Sequence, residues 1–310
     1  MVLQPIKTKK ALFIKLGESG EWEAECIKTG TLRLGYHSLP HDICKSGDWA
    51  NARNSFPSDA DAGSVTRHLN QVQQFYEEPE ETLWITFYSD RLWWCFSSPE
   101  VTQLPDLSKT RNVAGKWNDC DIEGNPLIKA RLSGKLLAVQ GFQGTICSVK
   151  EQDYLLHKIN ATSEPHVAEA QTAQENLITA LIPIIKNLHP NDLEILTDLI
   201  FRQAGWQRTG VAGKTEKDID LDLLSPITEE RIAIQVKSRA SVAIYNLYQE
   251  KFKDMLGFLR FYFVTHSPDL SLETLASQPN DGKFVFWGPE QLARQAARNG
   301  LVDWLIDKAS

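Results

Sequence analysis

The sequence predicts an α/β domain with a mixed sheet flanked by helices in the C-terminal half, and a β-rich (α+β) domain in the N-terminal half. From about residue 171 onward, the apolar pattern gives the order helix, hairpin, helix, strand, strand, helix, which is typical of a mixed sheet covered by helices. Before residue 150, short strand-like segments dominate. The clearest is the hairpin signal of residues 82–96, where two apolar segments flank Ser89-Asp90-Arg91.

Length and composition set the outer limits. A chain of 310 residues favours two domains, which we place at residues 1–150 and 171–310, joined by a polar linker at 151–170. The net charge of −7 argues against a protein that coats nucleic acid non-specifically, although an acidic chain can still carry a local basic groove. Neither a secretory signal nor a bilayer-spanning segment is evident, so a cytoplasmic protein without a membrane partner is expected. Five cysteines without a C-x-x-C pair fit reduced thiols.

Within the first half, the pattern predicts one long amphipathic helix at residues 65–76, where apolar residues recur at helical spacing. Residues 48–63 are rich in Asn, Ser, Asp and Ala and predict a loop. The remaining apolar segments predict strands at 11–16, 82–88, 92–96, 136–140 and 145–149, with a further hairpin at 21–36 around Gly30.

Helices dominate the expectations for the second half. Residues 174–188 predict a helix that kinks or restarts at Pro183. Residues 191–204 predict a helix capped by Asn191 and ended by Gly205. Further helices are predicted at 241–256, 289–299 and 302–309, and strands at 258–264 and 283–287.

Residues 217–239 carry the pattern on which the functional hypothesis depends. Asp218, Asp220 and Asp222 alternate with apolar residues, and after a turn containing Pro226, Gln235 and Lys237 also alternate with apolar residues. Period-two alternation predicts two strands, each with one apolar face and one polar face. If the strands pair, carboxylates, an amide and a lysine share one surface. An ordinary solvated sheet face would show the same alternation.

The ordered set of Glu194 on a helix, Asp220 on a strand and Gln235-Val236-Lys237 on the next strand resembles the Mrr-like branch of the restriction endonucleases, the PD-(D/E)xK nuclease superfamily. The resemblance extends from about residue 170 to the last residue. It implies a metal-dependent endodeoxyribonuclease, a phosphodiester hydrolase, with Glu194, Asp220, Gln235 and Lys237 as catalytic residues. Mg²⁺ is the expected cofactor, with Mn²⁺ as a substitute, because phosphodiester hydrolysis needs a metal that accepts oxygen ligands.

Two assignments in this set stay open at the level of sequence. Asp222 is an alternative catalytic residue to Asp220, and both are candidate metal ligands together with Gln235, because a shorter turn would place Asp222 opposite Gln235. Glu194 also lies three residues after Asn191, where a helix-capping glutamate belongs.

The first half is expected to recognise DNA. Its glycine-punctuated segments at residues 113–117 and 141–144 loosely resemble PUA-like modules, which include readers of methylated bases. Exposed tryptophans are natural stacking surfaces for a base, and the alternative is that they fill a small core. A basic loop with Arg208, Lys214 and Lys217 beside the predicted catalytic strands could contact the DNA backbone, and the alternative is an ordinary solvated loop. The candidate nucleic-acid-binding residues are Trp84, Trp93, Trp94, Trp117, Lys214 and Lys217.

Together these expectations describe a modification-dependent, type IV-like restriction endonuclease. Its partner would be double-stranded DNA that is methylated, otherwise modified or unmodified, and cleavage of both strands favours a homodimer. The alternatives are a DNA-repair nuclease, an RNA-directed nuclease, or a catalytically inactive binding protein with a nuclease fold. A further alternative is that the aromatic first half senses a small ligand.

Overall fold

Residues 4–209, 218–276 and 282–310 are described by the computed structural model. The chain divides into two units, Met1–Pro165 and His166–Ser310. Within the described stretches, no helix combines the length and the apolar character needed to cross a bilayer.

Unit 1 (Met1–Pro165) contains two sheets. Its strands are β1 (Ala11–Ile14), β2 (Thr31–Leu34), β3 (Leu83–Tyr88), β4 (Arg91–Cys95), β5 (Ser97–Gln103), β6 (Lys109–Val113) and β7 (Ile146–Ser148). The first sheet has the order β4-β3-β1-β7 and is mixed, because β1 and β3 are parallel while the other pairs are antiparallel. The second sheet, β2-β6-β5, is antiparallel.

The helices of unit 1 are α1 (Glu23–Thr29), α2 (His41–Lys45), α3 (Trp49–Arg53), α4 (Ala62–Glu77), α5 (Gly134–Leu137) and α6 (Gln152–Ile159). The amphipathic helix predicted at 65–76 is confirmed as α4. Asp61 caps it by accepting a hydrogen bond of 2.7 Å from the Ser64 N–H. Val65, Leu69 and Phe75 on its inner face are buried.

Three local predictions in this unit are wrong. Residues 21–36 form α1 followed by β2 instead of a hairpin, because Gly30 (φ +69°) ends a helix rather than forming a hairpin turn. Residues 136–140 are helical, since Ser133 accepts a hydrogen bond from the Leu136 N–H and begins α5. The predicted loop at 48–63 contains α3. Unit 1 is therefore mixed α/β, with a larger helical share than "β-rich" implies.

The stretch predicted as a linker, 151–170, is mostly helical. It contains all of α6 and the beginning of the next helix, which starts at Pro165. Leu155 and Ile159 of α6 are fully buried and pack in one cluster with Phe13 and Ile85. Residues 152–159 therefore belong to the core of unit 1.

The described part of unit 2 (His166–Ser310) contains one five-stranded sheet of order β12-β11-β10-β9-β8. Its strands are β8 (Gln207–Arg208), β9 (Leu221–Leu224), β10 (Arg231–Ala240), β11 (Arg260–Pro268) and β12 (Phe284–Trp287). The last three strands are parallel, whereas β9 is antiparallel to both of its neighbours. The predicted mixed sheet is confirmed.

Helices cover both faces of this sheet. They are α7 (Pro165–Lys186), α8 (Pro190–Gln203), α9 (Val242–Lys253), α10 (Leu270–Ala276), α11 (Pro289–Arg298) and α12 (Val302–Ala309). Ile232, Ile234 and Val236 of β10 pack in one cluster with residues of α7, α8, α11 and α12. Ala233 packs on the opposite face with residues of α9 and α10. The polar side of the alternation in β10 is therefore largely covered by protein.

Two details of the predicted helices differ in the structure. Pro183 lies inside α7 without interrupting it. The N-cap of α8 is His189, whose Nδ1 accepts a hydrogen bond of 3.3 Å from the Asn191 N–H. Asn191 is therefore inside the helix. The glycine after α8 behaves as predicted, since Gly205 takes a φ of +90°.

Candidate active site

The register between β9 and β10 decides which aspartate faces Gln235. Asp222 lies opposite Ala233, and Leu221 lies opposite Ile234. One residue further, the Asp220 N–H donates a hydrogen bond of 2.9 Å to the Ile234 carbonyl oxygen. Antiparallel pairing thus continues as far as Asp220, which lies beside Gln235 just before β9 begins.

The Asp220 carboxylate is tied directly to β10. Its Oδ2 accepts a hydrogen bond of 2.7 Å from the Val236 N–H and a second from Gln235 Nε2. Burial raises the pKa of this carboxyl group, while the Val236 hydrogen bond and the charge of Lys237 act in the opposite direction. Because the carboxyl group is buried, its ionised form is destabilised unless a positive charge lies close to it.

Gln235 has an unused acceptor at the same place. Its side chain is only 1% exposed, and its Oε1 has no hydrogen-bond partner among the described residues. A buried carbonyl oxygen without a partner costs about 1–3 kcal/mol, so a ligand that binds it gains that much. The orphaned oxygen belongs to the same amide that donates to Asp220.

Lys237 follows Gln235 by two residues on β10 and therefore points to the same face, about 7 Å along the strand. The side chain is half-buried. Its ammonium lies 5.7 Å from the centre of the Tyr248 ring on α9. The Lys237 charge lowers the pKa of both Asp220 and Glu194, which shows that it acts on both carboxylates.

Glu194 contributes the second carboxylate, from α8. The residue is exposed, yet partial desolvation raises its pKa, and the nearby charge of Asp220 raises it further. Lys237 and Arg208 lower it. Because His189 is the N-cap of α8, Glu194 is not the third residue after the cap, so the capping-box alternative does not apply.

The structure does not bring Asp222 to this cluster. Its Oδ2 accepts a hydrogen bond of 2.6 Å from Arg231 Nη2, and the residue faces Ala233 rather than Gln235. Asp218 forms an ion pair with Lys251 of α9. Of the three alternating aspartates, only Asp220 has a carboxylate hydrogen-bonded to Gln235 and Val236.

Of the basic residues that the sequence predicts to contact the DNA backbone, Lys214 and Lys217 lie outside the described residues, whereas the neighbouring Arg208 is described. Arg208 Nη2 donates a hydrogen bond of 3.3 Å to the Asp220 carbonyl oxygen. Sequence reasoning did not single out Tyr248 or Lys251. In the sequence, only their three-residue spacing, which places both side chains on one side of α9, could have pointed to them as a pair.

The tryptophans expected to contact DNA lie mostly in the core of unit 1. Trp84 is fully buried, and Trp94 and Trp117 are 8% and 4% exposed. The Nε1 atoms of Trp94 and Trp117 donate to the carbonyl oxygens of Cys120 and Thr31. Such rings offer no open face to a base, so these three residues are structural. Trp93 is half-buried, packs against the core, and donates to the Tyr88 carbonyl oxygen.

A different group of residues lines an open cavity of about 500 Å³ in unit 1. The lining includes the aromatic side chains of Trp22, Tyr36, His37 and His68, and the amide of Gln143. Tyr36 has a φ of +54°, a strained conformation for a residue with a side chain. Its hydroxyl lies 2.8 Å from His68 Nδ1, and its carbonyl oxygen accepts a 2.6 Å hydrogen bond from the buried Lys109. The hydroxyl contact therefore positions the ring, and the Lys109 hydrogen bond holds the backbone of Tyr36.

The donor atoms near Gln235 suit a hard divalent cation. No group of three or more His, Cys, Asp or Glu side chains able to hold a metal is present in the part of the chain that the structure describes. Mg²⁺ does not require one, because it keeps several waters and binds through one or two carboxylates. Asp220, the orphaned Gln235 oxygen and Glu194 supply oxygen donors, and both carboxyl groups have raised pKa values that a cation would oppose.

Comparisons with known proteins give weak structural neighbours only. No family model matches the chain, and no curated protein matches it. One similar solved structure is described as the DNA modification-dependent restriction endonuclease AspBHI, with 13% identity, a TM-score of 0.31, and coverage of 91% of this chain and 80% of that chain. Another is MspJI restriction endonuclease in complex with a 27-mer oligonucleotide, with 11% identity, a TM-score of 0.26, and coverage of 91% and 74%.

Proposed function

We propose that unit 2 is a metal-dependent DNA endonuclease, a phosphodiester hydrolase of the Mrr-like, PD-(D/E)xK kind. One observation carries the proposal: the Asp220 carboxylate is hydrogen-bonded to a buried Gln235 whose Oε1 has no partner. Lys237 follows on the same face of β10. A purely structural glutamine would be expected to have its carbonyl oxygen satisfied.

Each residue has a definite task in this proposal. Asp220 and the Gln235 carbonyl oxygen would hold Mg²⁺ or Mn²⁺, with Glu194 approaching through water. A metal bound there would neutralise charge on the scissile phosphate and lower the pKa of the attacking water. Lys237, on the same face of β10 as Gln235, would stabilise the additional negative charge of the pentavalent phosphate.

We propose that unit 1 recognises the DNA and, in a type IV-like manner, a modified base. The cavity that contains Trp22 and Tyr36 supports this proposal, whereas the buried tryptophans do not. Aromatic rings can stack on a base, and the Gln143 amide can hydrogen-bond to its edge. At about 500 Å³, the cavity is large enough for a planar heterocycle. A homodimer on double-stranded DNA would provide one catalytic centre for each strand.

The test uses the full-length protein with plasmids from methylating and non-methylating hosts, in Mg²⁺, Mn²⁺ or EDTA. The proposal predicts cleavage with either metal, no cleavage in EDTA, and a preference for the modified plasmid. Equal cleavage of both plasmids would contradict modification dependence, and a preference for branched DNA or RNA would favour the repair or RNA-directed alternatives. Binding without cleavage under every metal condition would contradict the nuclease assignment.

Lys237→Met is the matched catalytic control. It is close to isosteric with lysine and removes only the charged group, so binding of the plasmid should persist while cleavage falls. A Lys237→Met variant that cleaves at the wild-type rate would assign any observed nuclease activity to a contaminating enzyme or to another site.

A further inference from the structure

Two lysine ammonium groups lie within 6 Å of the centre of the Tyr248 ring on α9. The Lys237 ammonium is 5.7 Å from the centre of its ring, and the Lys251 ammonium is 5.2 Å away. Both distances are within the range of cation–π attraction, about 6 Å. Neither Tyr248 nor Lys251 belongs to the set of residues that would contact the metal or the phosphate.

The two lysines differ in their other partners. Lys251 forms an ion pair with Asp218, so its position is fixed independently of the ring. Lys237 makes no ion pair or side-chain hydrogen bond within the described residues, and the Tyr248 ring is its recorded side-chain contact. A lysine side chain has four rotatable bonds and loses substantial entropy when it is held in one place. Besides the attraction of the Asp220 and Glu194 carboxylates, the ring therefore restricts where the Lys237 ammonium lies.

The Tyr248 ring is itself held rigidly. Only 7% of the residue is exposed. Its ring packs against Phe261 at 6.2 Å and against Phe263 at 5.5 Å, both on β11. The strand β11 is hydrogen-bonded to β10. The Tyr248 ring therefore packs on the strand next to the one that carries Lys237.

We propose that Tyr248 is a positioning residue for phosphodiester hydrolysis: its ring face holds the Lys237 ammonium on the side of β10 that carries Gln235 and Asp220. The catalytic consequence rests on the proposed nuclease function, whereas the positioning does not. Cation–π attraction of about 0.5–2 kcal/mol converts, at 1.36 kcal/mol per tenfold, to a loss of about 2- to 30-fold in kcat when the ring is removed.

The first measurement needs no nuclease activity. Lysine is labelled with ¹³C at Cε in the full-length protein, and the Lys237 signal is identified by its loss in Lys237→Arg. A ring above the Lys237 side chain should shift its Hε protons upfield. Tyr248→Phe should keep that shift, and Tyr248→Leu should abolish it. Tyr245→Leu is the matched control, because Tyr245 is equally buried on α9 and packs on Phe263 and Phe284 without a lysine recorded over its ring.

The second measurement is single-turnover cleavage at saturating DNA with Mg²⁺, together with the Kd for DNA and the midpoint of thermal unfolding. Tyr248→Phe should cleave at nearly the wild-type rate. Tyr248→Leu should lose about 2- to 30-fold in kcat with an unchanged Kd. A series of fluorinated phenylalanines at position 248, which weakens the negative ring face at nearly constant volume, should lower kcat progressively.

Each outcome separates the two claims. No ring-current shift on Lys237 would overturn the inference, whatever the enzyme does. A shift accompanied by wild-type kcat in Tyr248→Leu, or by an equal loss in Tyr245→Leu, would also overturn it, since the ring would then have no specific effect. A shift in a protein that cleaves no DNA would overturn the proposed function and the catalytic consequence, and would leave the contact itself established.

Discussion

The choice between Asp220 and Asp222 gives the sharpest prediction, because the same Asp→Asn substitution should abolish DNA cleavage at the first position and leave it nearly unchanged at the second. In Asp220→Asn, the remaining carbonyl oxygen can still accept from the Val236 N–H, and the cost of a buried carboxylate disappears. Asp220→Ala would instead leave two buried donors without an acceptor, at about 1–3 kcal/mol each. The asparagine variant is therefore the cleaner perturbation, and we expect its free energy of unfolding to stay within about 1 kcal/mol of wild type.

The effect on catalysis should be much larger. Loss of the metal-binding charge removes several kcal/mol of transition-state stabilisation, and about 4 kcal/mol corresponds to roughly a thousandfold in kcat. In Asp222→Asn, the change removes a partly exposed ion pair with Arg231, worth about 0.2–1 kcal/mol, and cleavage should stay within about twofold of wild type. The assay is single-turnover cleavage of a labelled duplex by wild type and both variants.

Thermal unfolding with and without Mg²⁺ provides the second readout. A ligand that binds only the folded state stabilises it by about 2.7 kcal/mol at a hundred times its Kd. Wild type and Asp222→Asn should therefore show a rise in Tm with Mg²⁺, and Asp220→Asn should not. The register argument would be refuted if Asp222→Asn lost both cleavage and the Tm shift while Asp220→Asn kept them.

Three further predictions concern pH dependence and the tryptophans. Burial raises the folded-state pKa of Asp220 above its ordinary 3.8, so the folded state holds the proton more tightly than the unfolded state. In EDTA, the free energy of unfolding should therefore fall as pH rises from about 4 through the folded-state pKa. Chemical denaturation at a series of pH values should show a smaller slope for Asp220→Asn than for wild type. Trp84→Ala should cost about 3–5 kcal/mol of unfolding free energy, measured by urea denaturation, because the ring is fully buried. Trp22→Ala should leave the protein folded and weaken its binding to modified DNA more than its binding to unmodified DNA. The expected loss is that of one stacked base, about 1–3 kcal/mol, measured by fluorescence anisotropy. Equal weakening for both DNAs would contradict a role of Trp22 in recognition.

Much of the fold of unit 2 could be predicted because its signals are local. The amphipathic period of α8 and the alternation in β10 depend on residues that are neighbours in sequence, and both elements appear where expected. Pairing register is not local in this sense. It depends on the geometry of the turn, in which the Ser225 N–H donates to the Glu230 carbonyl oxygen, and a change of two residues would have exchanged Asp220 for Asp222.

Burial of the aromatic residues could not be predicted from alternation alone. In β3, Trp84 packs into one apolar cluster while Leu83 and Ile85 pack into another, because β3 lies between β4 and β1 and both faces of the sheet are covered. Alternation identifies which residues share a face and does not reveal whether that face meets solvent or a helix. For the same reason the alternation in β10 left a solvated sheet face as an alternative, although Gln235 is buried.

The cavity lined by Trp22 and Tyr36 could not be predicted from sequence patterns, for a different reason. Its residues come from segments far apart in the chain, and no period or short motif connects them. The positive φ of Tyr36 is a property of the folded backbone. The cation–π contact between Lys237 and Tyr248 likewise depends on how α9 packs against β10, which single-sequence reasoning does not supply.

The position of a bound metal ion would show directly whether Asp220 and Gln235 are metal ligands. Crystals of the full-length protein would be soaked in Mn²⁺, and anomalous scattering would identify the position of the ion. We expect an anomalous peak in direct contact with the Asp220 carboxylate and Gln235 Oε1, absent in Asp220→Asn and retained in Asp222→Asn. A peak bound by Asp222 instead, or no peak near Gln235 at a Mn²⁺ concentration that supports DNA cleavage, would contradict it.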